Sequence, residues 1–162
     1  MNPAASVTLV DKTPEQLAEW LPLSISLYEQ ARIDAGDTPE AAAAAAAGSR
    51  ARFFPGDKPA EGHRIFTITV GAEHDGKDAG WLWIGPTGEG SNGDWWIWDI
   101  EVHEAFRRRG IAEAAMELAE DVARAAGVGA IGLNVFGGND TARRLYDRVG
   151  YAVTSVHMRK TL

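Results

Sequence analysis

The sequence predicts a mixed α/β fold: a central, mostly antiparallel sheet with helices on both faces. Three observations lead to it. Strand-like runs at 64–71, 81–84 and 95–102 follow one another with only turn-forming stretches between them, the pattern of an antiparallel meander. Two helix starts, Thr13-Pro14-Glu15-Gln16 and Thr38-Pro39-Glu40, precede the meander. The run at 95–102 then leads through a long amphipathic helix to another strand, and two strands joined by a crossover helix lie parallel. Antiparallel hairpins and a parallel crossover in one chain require a mixed sheet. No linker or internal repeat divides residues 1–162, so one domain is expected, and 162 residues suffice for a proper core.

In chain order, Ser6–Val10 reads as a short first strand. Thr13 is an N-cap, Pro14 stands at the first helical position and Gln16 closes a capping box. The helix carries Leu17, Trp20, Leu21, Ile25 and Tyr28, with a kink or restart expected at Pro22 and an end at Gly36. Thr38 caps a second helix through the alanine run 41–47, a strong helix former, and Phe53-Phe54-Pro55-Gly56 closes it. Asp75-Gly76 marks a hairpin turn within 73–77, and 85–93 is a longer polar turn. The helix from about Gly110 to Ala126 places Ile111, Ala115, Leu118, Val122 and Ala125 on one face, with Glu120–Arg124 as an i,i+4 pair opposite. Ala130–Phe136 is the parallel strand. Asn139 or Asp140 caps a short helix that Gly150 stops, and Tyr151–Arg159 alternates as a last strand.

Composition narrows the function. A net charge of −7 argues against a nucleic-acid binder, whose footprint is basic, and is compatible with a cationic acceptor such as an amine. No apolar run approaches the ~18 residues of a membrane span, and no secretory signal is visible at the N-terminus, so a cytoplasmic protein is expected. With no cysteine, thiolate catalysis and disulfides are excluded. The four histidines lack metal-ligand spacing, and no H-E-x-x-H, G-x-S-x-G, Walker A or G-x-G-x-x-G sequence occurs.

The informative stretch is 95–151. The apolar strand WWIWDIEV ends in the turn H-E-A-F-R-R-R-G and opens into a helix. A helix N-terminus offers unpaired N–H groups and the positive end of the dipole. Gly110 lets a ligand approach the backbone, and Arg107, Arg108 and Arg109 add donors suited to phosphate, although a solvated turn has the same composition. In the strand, alternation sets Trp95, Ile97, Asp99 and Glu101 on one face and Trp96, Trp98, Ile100 and Val102 on the other. A strand covered on both faces should be apolar on both, so Asp99 and Glu101 break the pattern. A carboxylate there is either a desolvated base or the partner of an arginine at the strand end.

The turn reads R-x-x-G-x-A through Arg107, Gly110 and Ala112, and about thirty residues on comes LNVFGGNDTARRLYDRVGY, from Leu133 to Tyr151. Together, over roughly the C-terminal 40% of the chain, these resemble the GNAT superfamily of acyl-CoA-dependent N-acetyltransferases. The resemblance implies acetyl-CoA as co-substrate and an amine acceptor. It implies that turn amides from Arg107 through Ile111 to Ala112 hold the pyrophosphate, and that main-chain groups of Ile100 and Val102 bond the pantetheine arm. Asn139 would bond the same arm, within the motif that also contains Ala142. Tyr146 would protonate the leaving thiolate, and Glu101, nearer the turn, or Asp99 would be the general base. Arg108 departs from the family pattern, where glycine is common. Two other readings stand beside this one: a GNAT-like module that binds acyl-CoA without turnover, and a transferase using a longer acyl-CoA. The segments around Tyr28 and Phe53–Phe54 fall where the acceptor side usually lies. An exposed last strand would offer a homodimer edge.

Overall fold

A computed structural model describes residues 6–71, 76–88 and 93–162. The order is β1 (Val7–Asp11), α1 (Pro14–Asp34), α2 (Pro39–Phe53), β2 (Arg64–Val70), β3 (Lys77–Pro86), β4 (Trp95–Val102), α3 (Ile111–Ala125), β5 (Ile131–Leu133) and α4 (Asp140–Arg148). The strands form one sheet in the order β1-β2-β3-β4-β5, antiparallel throughout except for the parallel β4–β5 pair. The turns expected at 73–77 and 85–93 lie partly outside the described residues.

The two faces of the sheet bury different side chains. On one, Phe66, Ile68, Leu82, Ile84 and Ile97 pack against α3, with Leu145, Tyr146 and Val149 of α4 at the margin. On the other, Ile65, Trp81 and Trp83 pack against Trp20 and Leu21 of α1 and Phe53 at the end of α2. The second core is an aromatic lattice: Phe53 lies 4.4 Å from Trp98, and Trp83 stacks on Trp98 at 5.7 Å. His63 joins it as a neutral ring. Its Nδ1 accepts from Trp83 Nε1 at 3.0 Å, and burial, aided by the Arg52 charge, pushes its pKa down to about 4.

Local chemistry sets the helix ends as expected. Thr13 Oγ1 accepts from Gln16 N, and Gln16 Oε1 accepts from Thr13 N, completing the capping box. α1 runs unbroken through Pro22, without the restart expected there. In α3 the buried stripe is Ile111, Ala115, Met116, Ala119 and Ala123; Leu118 and Val122 flank it and Ala125 is exposed. Small alanines let the helix lie close to the sheet, and this rotates the contact line away from the larger residues.

Two strand expectations are corrected. The parallel strand expected over 130–136 pairs only at Ile131–Leu133. Tyr151–Arg159 forms no strand: alternation supplies a suitable face but not an edge to pair with, and the segment leaves Val153, Val156 and Met158 exposed. Arg159 instead donates to the Gly36 carbonyl beyond α1. The homodimer edge envisaged on that strand is therefore not formed by it.

Two bulges bend the sheet. Ala79 is skipped between β2 and β3, and Trp98 is skipped between β3 and β4. Gly80, next to the first bulge and paired with Val102, has φ +149 and passes so close to β4 that a Cβ would strike the Glu101 carbonyl. Gly80→Ala is expected to cost about 3 kcal/mol of stability, from overpacking against backbone that cannot yield plus the unfavourable φ; chemical denaturation would measure it, and a loss under ~0.5 kcal/mol would contradict the close approach.

Candidate active site

The bulge at Trp98 changes which side chains share a face. Ile97 pairs with Ile84 and Asp99 with Trp83, leaving Trp98 without a partner across the ladder. Strict alternation would keep Ile97 and Asp99 on one face. Instead Ile97, Ile100 and Val102 all join the α3-side core, while Trp98, Asp99 and Glu101 border the opposite cleft. The extra residue reverses the phase of the strand, which is what a bulge does.

The same point is where the sheet opens. β4 pairs with β5 through Trp95, Trp96 and Ile97 and no further. Beyond Ile97 the strand continues along β3 alone, and the chain after β5, Asn134–Phe136, lines the far side of the gap. Backbone groups on this edge of β4 have no strand opposite them. A cleft of about 780 Å³ lies here, bounded by β4, the face of α1 carrying Ser24 and Tyr28, and the face of α2 carrying Gly48 and Ser49. Asn139 and Tyr146 close its other side.

Five of the residues singled out in the sequence meet in this cleft: Asp99, Ile100, Glu101, Asn139 and Tyr146. Asp99 is partly buried. Its Oδ2 accepts from Trp81 Nε1 at 2.7 Å and, more weakly, from Ser24 Oγ at 3.4 Å. Burial raises its pKa above the ordinary carboxylate value; the neighbouring Glu101 charge adds to this, and the two donated bonds oppose it. Glu101 has a different environment, since Arg107 Nη2 donates to its Oε1 at 2.6 Å. Tyr146 has no hydrogen-bond partner for its hydroxyl among the described residues, and burial, together with the Asp99 charge, raises its pKa. Asn139 caps α4 by accepting from Ala142 N at 3.1 Å, which leaves its amide NH₂ free for another partner.

The turn lies past the end of β4, outside the lining of the cleft, as do Val102 and Ala142. Arg107 folds back on the strand: its Nε donates to the Val102 carbonyl at 2.8 Å, so that carbonyl and that arginine are both engaged. Arg108 is exposed with φ +64, in the left-handed region that favours glycine. Arg109 lies over the Phe106 ring at 5.8 Å. Gly110, φ +76, is the N-cap of α3, and no side chain caps the helix. A Cβ there would meet nothing within 4 Å, so the ground before the first α3 amides is open.

Sequence reasoning missed Trp81 and Ser24 as partners of Asp99, and Arg52 and Asn134–Phe136 on the walls. Ser24 had a readable signal, a small polar residue on the apolar stripe of α1. No group of three or more His, Asp or Glu side chains is arranged to hold a metal among the described residues, and none of the described helices is long and apolar enough to cross a membrane.

Known proteins agree with this architecture. The model of the acetyltransferase (GNAT) family matches residues 27–151. An uncharacterized N-acetyltransferase of Bacillus subtilis, YdgE, is 30% identical over 156 residues, covering 96% of this chain and 98% of its own. The crystal structure of YycN of Bacillus subtilis, another uncharacterized N-acetyltransferase, superposes with a TM-score of 0.85 at 26% identity, covering 97% of this chain and 99% of that one. The aminoglycoside N-acetyltransferase AAC(6')-Iy, solved in complex with CoA, shares the fold at a TM-score of 0.63 and 15% identity, covering 100% of this chain and 98% of that one. A family model that spans most of the chain, and relatives matched end to end, place this protein in the GNAT acetyltransferase family, as an acyltransferase.

Proposed function

We propose that the protein transfers an acetyl group from acetyl-CoA to a primary amine, with Asp99 as general base and Tyr146 as general acid. The observation that carries this is the pairing of the two groups across one cleft: a carboxylate made basic by burial faces a phenol whose proton is held more tightly than usual. The amine passes a proton to Asp99 and attacks the thioester carbonyl. The C–S bond then breaks, the departing sulfur takes its proton from Tyr146, and the nitrogen's remaining excess proton restores the phenol, leaving a neutral amide and the CoA thiol. Glu101, preferred from sequence, suits the base less well because Arg107 engages it. The acyl donor fits the chain's own features. The uncapped amides behind Gly110, with the exposed Arg108, suit the diphosphate, and the unpaired edge of β4 with Asn139 suits the amide-bearing arm. Holding the two reactants together is the larger part of the catalysis. CoA in the AAC(6')-Iy structure, a protein of the same fold, supports this choice of donor.

Asp99→Asn is expected to lower kcat/KM by about 10²–10⁴-fold. In the native enzyme activity should fall as pH drops through the raised Asp99 pKa, above the ordinary carboxylate value of ~3.9, and the variant should lose that limb. The sign for stability is opposite. A carboxyl whose folded pKa is raised destabilises the fold as it ionises, so the variant should be at least as stable at neutral pH. A native-like pH profile in the variant would exclude Asp99 as base.

Tyr146→Phe is expected to cut kcat on the order of 10²-fold with little change in acetyl-CoA affinity; equal loss in both would make it a binding residue. Gly110→Val places a β-branched side chain at φ +76, before the α3 amides. It should abolish the thermal stabilisation by acetyl-CoA, which for native protein at 100 times Kd is about 2.7 kcal/mol. Retained stabilisation would remove the diphosphate from this turn.

A further inference from the structure

Two tryptophans of β3 lie within reach of Asp99, and only one of them is free to serve it. Trp83 is directly opposite in the ladder, but its Nε1 donates to His63 Nδ1 at 3.0 Å. Trp81, opposite Glu101, is the diagonal neighbour of Asp99, a separation that a long side chain spans. Its Nε1 donates to Asp99 Oδ2 at 2.7 Å, the short distance of a bond to a charged acceptor. Ser24 Oγ, from α1, donates to the same oxygen at 3.4 Å. A carboxylate oxygen accepts two donors, so Oδ2 is filled, while Oδ1 takes no side-chain donor among the described residues. Trp81 is itself firmly held. It is buried in the aromatic core with Trp20, Phe53 and Phe54, and it packs against the His103 ring with centroids 5.7 Å apart. Gly80, the residue before it, brings β3 close against the Glu101 carbonyl.

We infer that Trp81 is a positioning residue for acetyl transfer: its indole N–H holds Oδ2 of Asp99 and so reserves Oδ1 for the proton of the acceptor amine. The inference rests on the reading of Asp99 as general base and names what prepares that base. Two effects follow. The carboxylate cannot turn freely, so Oδ1 keeps one direction relative to the bound reactants. The bond also favours the ionised form. Burial raises the Asp99 pKa, and of the influences that pull it back the Trp81 bond is the greatest, ahead of Ser24. Burial alone favours the protonated carboxyl, which takes no proton from an amine; the indole returns it to use. The titratable and charged groups around Asp99 act otherwise. Glu101, beside it on β4, opposes its ionisation. Tyr146 of α4, Arg32 of α1 and Arg52 of α2 line the same cleft, and His63 and His103 stand behind Trp83 and Trp81. None of these donates a hydrogen bond to the carboxylate, as the indole does.

The test follows two signals through a pH titration of the whole protein: the Asp99 carboxyl carbon by ¹³C and the tryptophan indole N–H groups by ¹⁵N. In the native protein the Trp81 N–H should shift with the Asp99 midpoint, and in Asp99→Asn it should cease to do so. The Trp83 N–H should follow His63 instead, at about pH 4. Replacing Trp81 with its benzothiophene analogue keeps the shape and exchanges the N–H for sulfur. It should raise the Asp99 midpoint by at least about one pH unit, as should Trp81→Phe, with Ser24→Ala moving it less. The acid limb of kcat/KM, read as CoA release with acetyl-CoA and 2-phenylethylamine or spermidine, should rise with it. Above that limb kcat should still fall about 10-fold, with KM for the amine little changed, because the carboxylate is no longer aimed. An Asp99 midpoint unmoved in the analogue, or a Trp81 N–H that ignores Asp99, would overturn the inference and leave Asp99 as base. A native pH profile in Asp99→Asn would instead remove the base, and the inference with it. If neither amine is turned over, the carboxyl midpoint and the indole resonance decide the inference by themselves.

Discussion

One unpaired residue in β4 governs the arrangement. Because Trp98 is skipped in the β3–β4 ladder, the strand changes phase halfway along. Its first half contributes Ile97, and its second half Ile100 and Val102, to the same core beneath α3. Without the extra residue one of the two halves would present the wrong face: either Asp99 would enter that core in place of Ile100, or Ile97 would leave it. A carboxylate inside a fully apolar core is costly unless neutralised or paired. The bulge removes that conflict by sending Asp99 to the cleft, where Trp81 and Ser24 supply donors.

The strand's parting from β5 has a related origin. The parallel pair holds for three residues, through Ile97 and Leu133, and stops where the bulge begins. A bent strand with stronger local twist cannot keep a straight neighbour in register. The opening is thus a product of the same local distortion that aims Asp99, and the carboxylate and the gap come together at one place. The aromatic lattice supports both. Trp83 opposes Asp99 across the ladder and stacks on Trp98, which holds the bulged residue against Phe53. The bulged strand has the rigid backing a site of this kind needs.

How much of this could be read from the chain depended on the range of the cause. The helix caps and turn glycines are local, and Thr13, Thr38, Asn139 and Gly110 lie where their residue types put them. β4 was legible to the residue from its apolar run. The bulge was not, because WWIWDIEV alternates acceptably in either phase and the choice is made by β3, through the Trp83–Asp99 and Ile84–Ile97 pairs. For the same reason the sequence preferred Glu101, whose engagement depends on an arginine six residues on turning back. The last strand failed in the opposite way: its alternation is real, but pairing is a property of two segments, and no described strand meets it.

Arg107 links the two halves of the site. By donating to the Val102 carbonyl and to the Glu101 carboxylate, it fastens the turn to the end of β4. The turn is then fixed relative to the bulge a few residues upstream, so the first amides of α3 and the carboxylate of Asp99 keep a set relation without touching each other. The same contact disposes of a charge. Arg107 faces the Glu101 charge, and the ionisation of Asp99 is opposed chiefly by burial, with Glu101 adding to it. An arginine that reads in the sequence as a phosphate ligand has its Nε and one Nη committed to the strand. The left-handed Arg108 beside it is exposed to solvent at some backbone cost, with no partner among the described residues. The run of three arginines is thus divided by backbone geometry into a fastener, an exposed side chain and, in Arg109 over Phe106, a packed stem.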